Sequence, residues 1–270
     1  MSSTGRGKQG KPANRSNGNA DSDYCPTPAV CARVLTSLLP IGADDLVVDA
    51  GAGQGVFSQA VYDLHGASPR AVDAFADRYP GLHTLKAAGV VREVVKKRFQ
   101  DLRASRERRP DWIVSNPPFS QAEEFVTHAL FLAREGGHVA VLLRHGFLVT
   151  ADRAHHRRRF PPFRIYDMQT RPQFYGNGSD SAEYAWIVYR KGWQGRTISD
   201  VLHWNAERYP SQVEDDLRRI RAADWPDYGL TLTPDAQRVR NADFGIDAGA
   251  TWRASDGSGR LMGREVVCPS

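Results

Sequence analysis

The chain has 270 residues, enough for one α/β domain with appendages or one domain plus a small second one. Its net charge of +5 is modest but the basic residues are grouped, and no run approaches the roughly 18 apolar residues of a membrane-spanning helix. Cys25, Cys31 and Cys268 have no metal-type spacing and leave an odd thiol, which argues against a disulfide framework and against a cysteine metal site.

Residues 1–22 are rich in Gly, Ser, Asn and basic residues without apolar periodicity, and are expected to form a disordered basic tail. The start of the chain lacks the apolar centre of a signal peptide, so a cytoplasmic protein is expected. A helix is predicted near 27–39 and a buried strand over Leu46-Val47-Val48-Asp49-Ala50. The turn that follows, Gly51-Ala52-Gly53-Gln54-Gly55, lets the main chain come close to a ligand, because glycine has no side chain to hold it off. Its spacing is not the strict G-x-G-x-x-G of a dinucleotide site. A helix over about 54–65 and a short strand over 70–73 come next, ending on Asp73, where an acidic residue can hold ribose hydroxyls. Helical pattern continues to about 90. A third strand near 93–99 precedes Asp101, a candidate for the amino group of an adenine.

Asp111-Trp112-Ile113-Val114-Ser115 has the β-branched and aromatic bias of a buried parallel strand. Asn116-Pro117-Pro118-Phe119 therefore falls at a strand's carboxyl end, where open α/β sheets bind ligands. Pro117 and Pro118 stiffen the turn, since each fixes its own φ and biases the residue before it toward extended geometry. The chemistry such a turn suits is activation of a planar amino nitrogen. The lone pair of an exocyclic amine is delocalised into the base, so the nitrogen is a poor nucleophile until something draws it toward a tetrahedral shape. The Asn116 carboxamide oxygen and the Pro117 carbonyl can each accept one amine hydrogen. Phe119, beside Pro118, offers a flat face to a base taken out of its stack.

A helix near 120–134 places Phe125, Ala129 and Leu132 on one face, and a strand follows at 138–143. Just after it comes the sharpest basic cluster, Arg153, His155, His156, Arg157, Arg158 and Arg159, expected beside the target pocket and in contact with phosphates. The two histidines lack a partner set for a metal. Strands at 163–169 and 184–190 complete the alternation of a doubly wound, mostly parallel α/β sheet. Gly192-Trp193-Gln194-Gly195 marks a boundary. Beyond it, 197–207 and 211–223 read as two helices, the second capped by Ser211 with Val213, Leu217 and Ile220 on one face, packing back on the main domain. Irregular structure is expected from about 225.

Over residues 22–191 the chain resembles the class I S-adenosylmethionine-dependent methyltransferases, in particular the adenine-N6 DNA methyltransferases with an Asn-Pro-Pro-Phe or Asn-Pro-Pro-Tyr motif. Tyr24-Cys25-Pro26-Thr27-Pro28 is similar to the aromatic and Thr-Pro element that precedes the cofactor loop in many of them. Arg171-Pro172-Gln173-Phe174 and Tyr184-Ala185-Trp186-Ile187-Val188-Tyr189 look like their closing strand pair. The resemblance implies a seven-stranded Rossmann-like sheet over 23–192, with 193–270 as a small C-terminal extension. It implies S-adenosylmethionine bound by Tyr24, Thr27, Asp49, Gly51, Gly53, Asp73 and Asp101. It also implies catalysis by Asn116, Pro117 and Phe119, while Pro118 and the basic residues Arg153, Arg157, Arg158 and Arg159 are expected to hold DNA. A monomer acting on DNA adenine is expected, without membrane contact and with no metal. RNA bases and protein glutamine are alternative substrates, and a catalytically silent nucleic-acid-binding protein is the alternative from another class. The chain departs from the pattern in framing Asp73 poorly and in lacking a large target-recognition domain.

Overall fold

The computed structural model describes residues 25–172 and 182–222. The expected basic tail, Tyr24, Gln173, Phe174 and the region expected to be irregular after 225 lie outside the described residues.

The strands are β1 (Val47–Ala50), β2 (Arg70–Val72), β3 (Glu93–Val95), β4 (Trp112–Ser115), β5 (His138–Arg144), β6 (Arg164–Gln169), β7 (Tyr184–Arg190) and β8 (Ile198–His203). They form one sheet in the order β3-β2-β1-β4-β5-β7-β6-β8. β7 runs antiparallel to both β5 and β6, and the other pairings are parallel.

Among the described residues there are eight strands, against the seven expected, and the extra one corrects a helix expected over 197–207. Thr197, Ile198 and Val201 are β-branched, and β6 offers a free edge whose backbone groups need partners. Pairing from Arg164↔Ile198 to Gln169↔His203 satisfies both, so the first part of the expected C-terminal extension is continuous with the main sheet.

Helices α1 (Ala29–Ser37), α2 (Val56–His65) and α7 (Pro210–Ala222) cover one face of the sheet. α4 (Ala122–Leu132), α5 (Gly146–Val149) and α6 (Ala154–Arg159) cover the other, while α3 (Pro80–Ala87) lies near the β3 edge. Successive strand residues point to opposite faces. In β7, Tyr184, Trp186 and Val188 therefore join the α1 side, and Ala185, Ile187 and Tyr189 the α4 side. Both faces are apolar because the strands are buried on both. α7 starts at Pro210 rather than after Ser211, since proline suits the first helical position. Its Val213, Leu217 and Ile220 are buried in the same cluster as α1 and α2. Among the described residues no helix is long and apolar enough to cross a membrane.

The strand order fixes where a ligand goes. The chain runs outward from β1 to β2 and β3, then returns to place β4 on the other side of β1. The connections after β1 and β4 thus leave in opposite directions and open a crevice at the carboxyl ends of the strands. In parallel register Asp49 lies opposite Val114, so the glycine turn and Asn-Pro-Pro-Phe emerge side by side.

Candidate active site

The glycine turn is shaped by its own hydrogen bonds. Gly51, Gly53 and Gly55 have φ of 68°, 52° and 82°, conformations that favour a residue without Cβ. The N–H groups of Gly51 and Ala52 donate to the Val72 carbonyl at 2.8 and 3.2 Å, and that of Gly55 donates to the Ala52 carbonyl at 2.8 Å. The Gly53 N–H donates to Asp73 Oδ2 at 2.9 Å. A loop that cradles a pyrophosphate must leave such N–H groups free to point at it. Here Gly51, Ala52, Gly53 and Gly55 are all engaged inside the protein, so the turn suits a cofactor without phosphate better than a dinucleotide. Chain neighbours aside, a Cβ built on Gly51 would meet no atom of the described residues within 4 Å, which leaves open space directly above the turn.

Asp49 sits behind this turn, 1% exposed, and its Oδ2 accepts from the backbone N–H and the hydroxyl of Ser58 at 3.0 and 2.7 Å. Burial pushes its carboxyl up from an ordinary value of 3.8 to about 6, with the bonds from Ser58 opposing and the charge of Asp73 adding to the rise. A raised folded pKa means that the folded state holds the proton more tightly. The stability from this group is therefore full below the unfolded value and lost as pH rises through about 6. Asp49→Asn keeps an acceptor for Ser58 and removes this titration. Between pH 4 and 7 the wild type is expected to lose on the order of 1–2 kcal/mol relative to the variant, read as urea midpoints. Parallel pH profiles for the two proteins would contradict this.

Asp73 is buried at the end of β2. Its Oδ1 accepts the Phe75 N–H at 2.7 Å while Oδ2 holds Gly53, so the carboxylate ties the two loops that flank the cavity. An ionised carboxylate has about four lone-pair sites, which leaves capacity for ribose hydroxyls.

Asn116 stands at the end of β4. Its amide nitrogen donates to the Cys25 carbonyl and to Thr27 Oγ1, both at 2.9 Å. Its Oδ1 is buried with no hydrogen-bond partner among the described residues. An unpaired buried acceptor costs about 1–3 kcal/mol, and an incoming N–H would relieve that cost. Pro117 is buried behind it. Phe119 is half-buried, with the Tyr184 ring 5.5 Å away and the Arg144 guanidinium 4.9 Å over its own ring.

Thr27, Gly51, Gly53, Asp73, Asn116 and Pro118 line one cavity of about 460 Å³, within the range of small-molecule sites. Asp101 does not line it. The 3-10 turn Phe99–Asp101 leaves that carboxylate exposed and puts Gln100 on the wall, where its Nε2 donates to Gln121 Oε1 at 2.8 Å. Phe75, Arg78 and Tyr79 also line the cavity and were not anticipated, although an aromatic residue two places after Asp73 was a readable signal.

The basic cluster does not ring this cavity. It forms a stripe along α6 and the turn before it, against α4. Arg153 pairs with Glu123 at 3.7 Å, close in sequence to Phe119, and lies 4.9 Å over the Phe147 ring. Arg157 donates to the Leu148 carbonyl at 3.1 Å. Arg159 lines a second cavity with Lys191 and Trp193, at the amino end of the sheet, since Arg190 lies opposite the first residue of β5. Buried His156 packs between Phe147 and Phe160, and burial lowers its pKa. Among the described residues no group of three His, Cys, Asp or Glu could hold a metal ion.

Residues 29–148 match the family description "Methyltransferase small domain", a span that includes the glycine turn and Asn116. In fold the chain is similar to the M protein of the type I restriction enzyme EcoKI, with TM-score 0.54 and 14% identity over 72% of this chain and 52% of that one. It is similar to a protein from Vibrio vulnificus YJ016 assigned as the modification subunit of a type I restriction enzyme, with TM-score 0.52 and 16% identity over 66% and 46%. A third is a Listeria monocytogenes protein assigned as a class I S-adenosylmethionine-dependent methyltransferase, with TM-score 0.52 and 14% identity over 72% and 70%. The chain spans about half the length of the first two. No curated protein sequence matches it. The fold is that of the class I S-adenosylmethionine-dependent methyltransferases.

Proposed function

We propose, on the premise of that fold, that the protein binds S-adenosylmethionine and methylates the exocyclic N6 amine of adenine in DNA. One observation carries the reading: a buried amide oxygen with no partner among the described residues, on a residue that lines the same cavity as a glycine turn whose N–H groups are engaged inside the protein. When bound, S-adenosylmethionine supplies an electrophilic methyl group. The protein's task is then alignment and polarisation of the amine, rather than a large pKa shift. Asn116 Oδ1 accepts one amine hydrogen, and the Pro117 carbonyl the other. Together they turn the lone pair out of the ring plane. Asp73 holds the ribose, Gly51 and Gly53 let the cofactor lie against the main chain, and Gln100, in place of Asp101, takes the adenine edge. Phe119 stacks on the flipped base.

The choice of DNA rests on the resemblance to adenine-N6 enzymes and on the basic stripe, and phosphate attraction serves RNA as well. Incubation of the protein with labelled cofactor and matched DNA, RNA and glutamine peptides, followed by mass spectrometry of nucleosides and peptides, tests it. N6-methyladenine in DNA is the expected product. Methylation confined to RNA, to cytosine or to glutamine would overturn the assignment.

Replacing Arg153, Arg157, Arg158 and Arg159 by alanine is expected to weaken DNA binding and to flatten its salt dependence. The slope of log K against log salt should fall by up to about 3 or 4, roughly one for each phosphate that keeps its counterion. An unchanged slope, measured by fluorescence anisotropy across a salt series, would mark the stripe as solvated surface.

A further inference from the structure

We infer that Thr27, with the Cys25 carbonyl, is the element that positions the Asn116 amide, so the stretch before α1 sets up catalysis as well as walling the cavity. The inference rests on the methyl-transfer reading above.

A backbone carbonyl carries no proton and only accepts, so the atom 2.9 Å from the Cys25 oxygen must be the amide nitrogen. The second N–H of that nitrogen goes to Thr27 Oγ1, also at 2.9 Å. With both protons engaged, the planar group has one orientation. A half-turn about χ2 would set Oδ1 against the Cys25 carbonyl, two acceptors face to face. The oxygen is thereby kept for the substrate, where an inverted amide would present a donor to an amine that needs an acceptor.

Both ends of the clamp are anchored. Thr27 lies between Pro26 and Pro28, each with its φ fixed by its ring, and the Pro28 carbonyl accepts the Ala32 N–H at 3.0 Å. α1 is held in turn by Cys31, Val34 and Leu35, all fully buried. At the other end, Ser115 donates its hydroxyl to the Ala50 carbonyl, tying the residue before Asn116 to the start of the glycine turn. A resemblance to cofactor-binding elements assigns Thr27 to the cofactor. The hydrogen bond assigns it to the catalytic amide.

Thr27→Val keeps the shape and removes the acceptor, and Thr27→Ser keeps the acceptor. Turnover of the valine variant is expected to fall about ten-fold, less than for a group that touches the reacting atoms, with the serine variant within roughly two-fold of wild type. Cofactor affinity should change less than turnover in both. In an Asn116→Ala background, Thr27→Val should cause no further loss, because the two residues act through one another. Equal losses in both backgrounds, or a loss explained by weaker cofactor binding, would overturn the inference. So would wild-type turnover in Thr27→Val.

A measurement without activity decides the same point. In protein labelled with ¹⁵N, the side-chain amide of Asn116, identified by its disappearance in Asn116→Ala, should show slowed hydrogen exchange that Thr27→Val abolishes and Thr27→Ser retains. An amide signal indifferent to Thr27 would also overturn the inference. If the wild type methylates no nucleic acid or peptide, the proposed function fails, and the amide measurement still decides the clamp.

Discussion

Asn116→Ala is expected to lower turnover about a hundred-fold or more, the loss that follows removal of one preorganised hydrogen-bonding group from a reacting centre. The alanine leaves the amine hydrogen without its acceptor, while the glycine turn and Asp73 remain in place to hold the cofactor. Calorimetric titration should therefore show cofactor affinity close to wild type beside the collapsed rate. Asn116→Asp is expected to recover little. One carboxylate oxygen would face the Cys25 carbonyl where the amide nitrogen now donates at 2.9 Å, and neither donated bond survives. An alanine variant that methylates at the wild-type rate would remove Asn116 from the mechanism.

Gly51→Leu is expected to weaken cofactor binding a hundred-fold or more, on the order of 3 kcal/mol. Chain neighbours aside, no atom of the described residues lies within 4 Å of a Cβ at this position, so the added side chain occupies ligand space instead of colliding with the fold. The backbone there has φ of 68°, which costs any non-glycine residue roughly 1–2 kcal/mol. Gly51→Ala carries nearly the same backbone cost with far less volume, so comparing the two separates strain from exclusion. Thermal melts should rank both variants alike, and titration should rank leucine well below alanine. Undiminished affinity in Gly51→Leu would move the cofactor out of this cavity.

Local chemistry made the central strands and the two loops legible. Leu46 to Ala50 and Asp111 to Ser115 are short apolar runs that end in turn-forming residues, and each became a central strand with its loop at the carboxyl end. The failures were non-local. Ile198–His203 is a strand because the edge of β6 needs partners, a fact written nowhere within those six residues. Gln100 rather than Asp101 reaches the cavity because one 3-10 turn rotates the chain by a single position. The charge of Arg153 to Arg159 was plain, but its direction was not. α6 carries the row away from Asn116 until Arg159 shares a cavity wall with Lys191 at the far end of the sheet.

The sequence by itself determined the doubly wound sheet, the glycine turn after β1 and the Asn-Pro-Pro-Phe turn after β4, because hydrophobic runs, glycine and proline act over a few residues. Tertiary structure decided what those turns can do. Strand order placed them on either side of one crevice, and the hydrogen bonds of Val72 and Asp73 took up the N–H groups that a phosphate would need. It also decided which atom of Asn116 is left without a hydrogen-bond partner among the described residues. An amide has no preferred end of its own, and here the choice is made by Cys25 and Thr27, which lie 91 and 89 residues earlier in the chain.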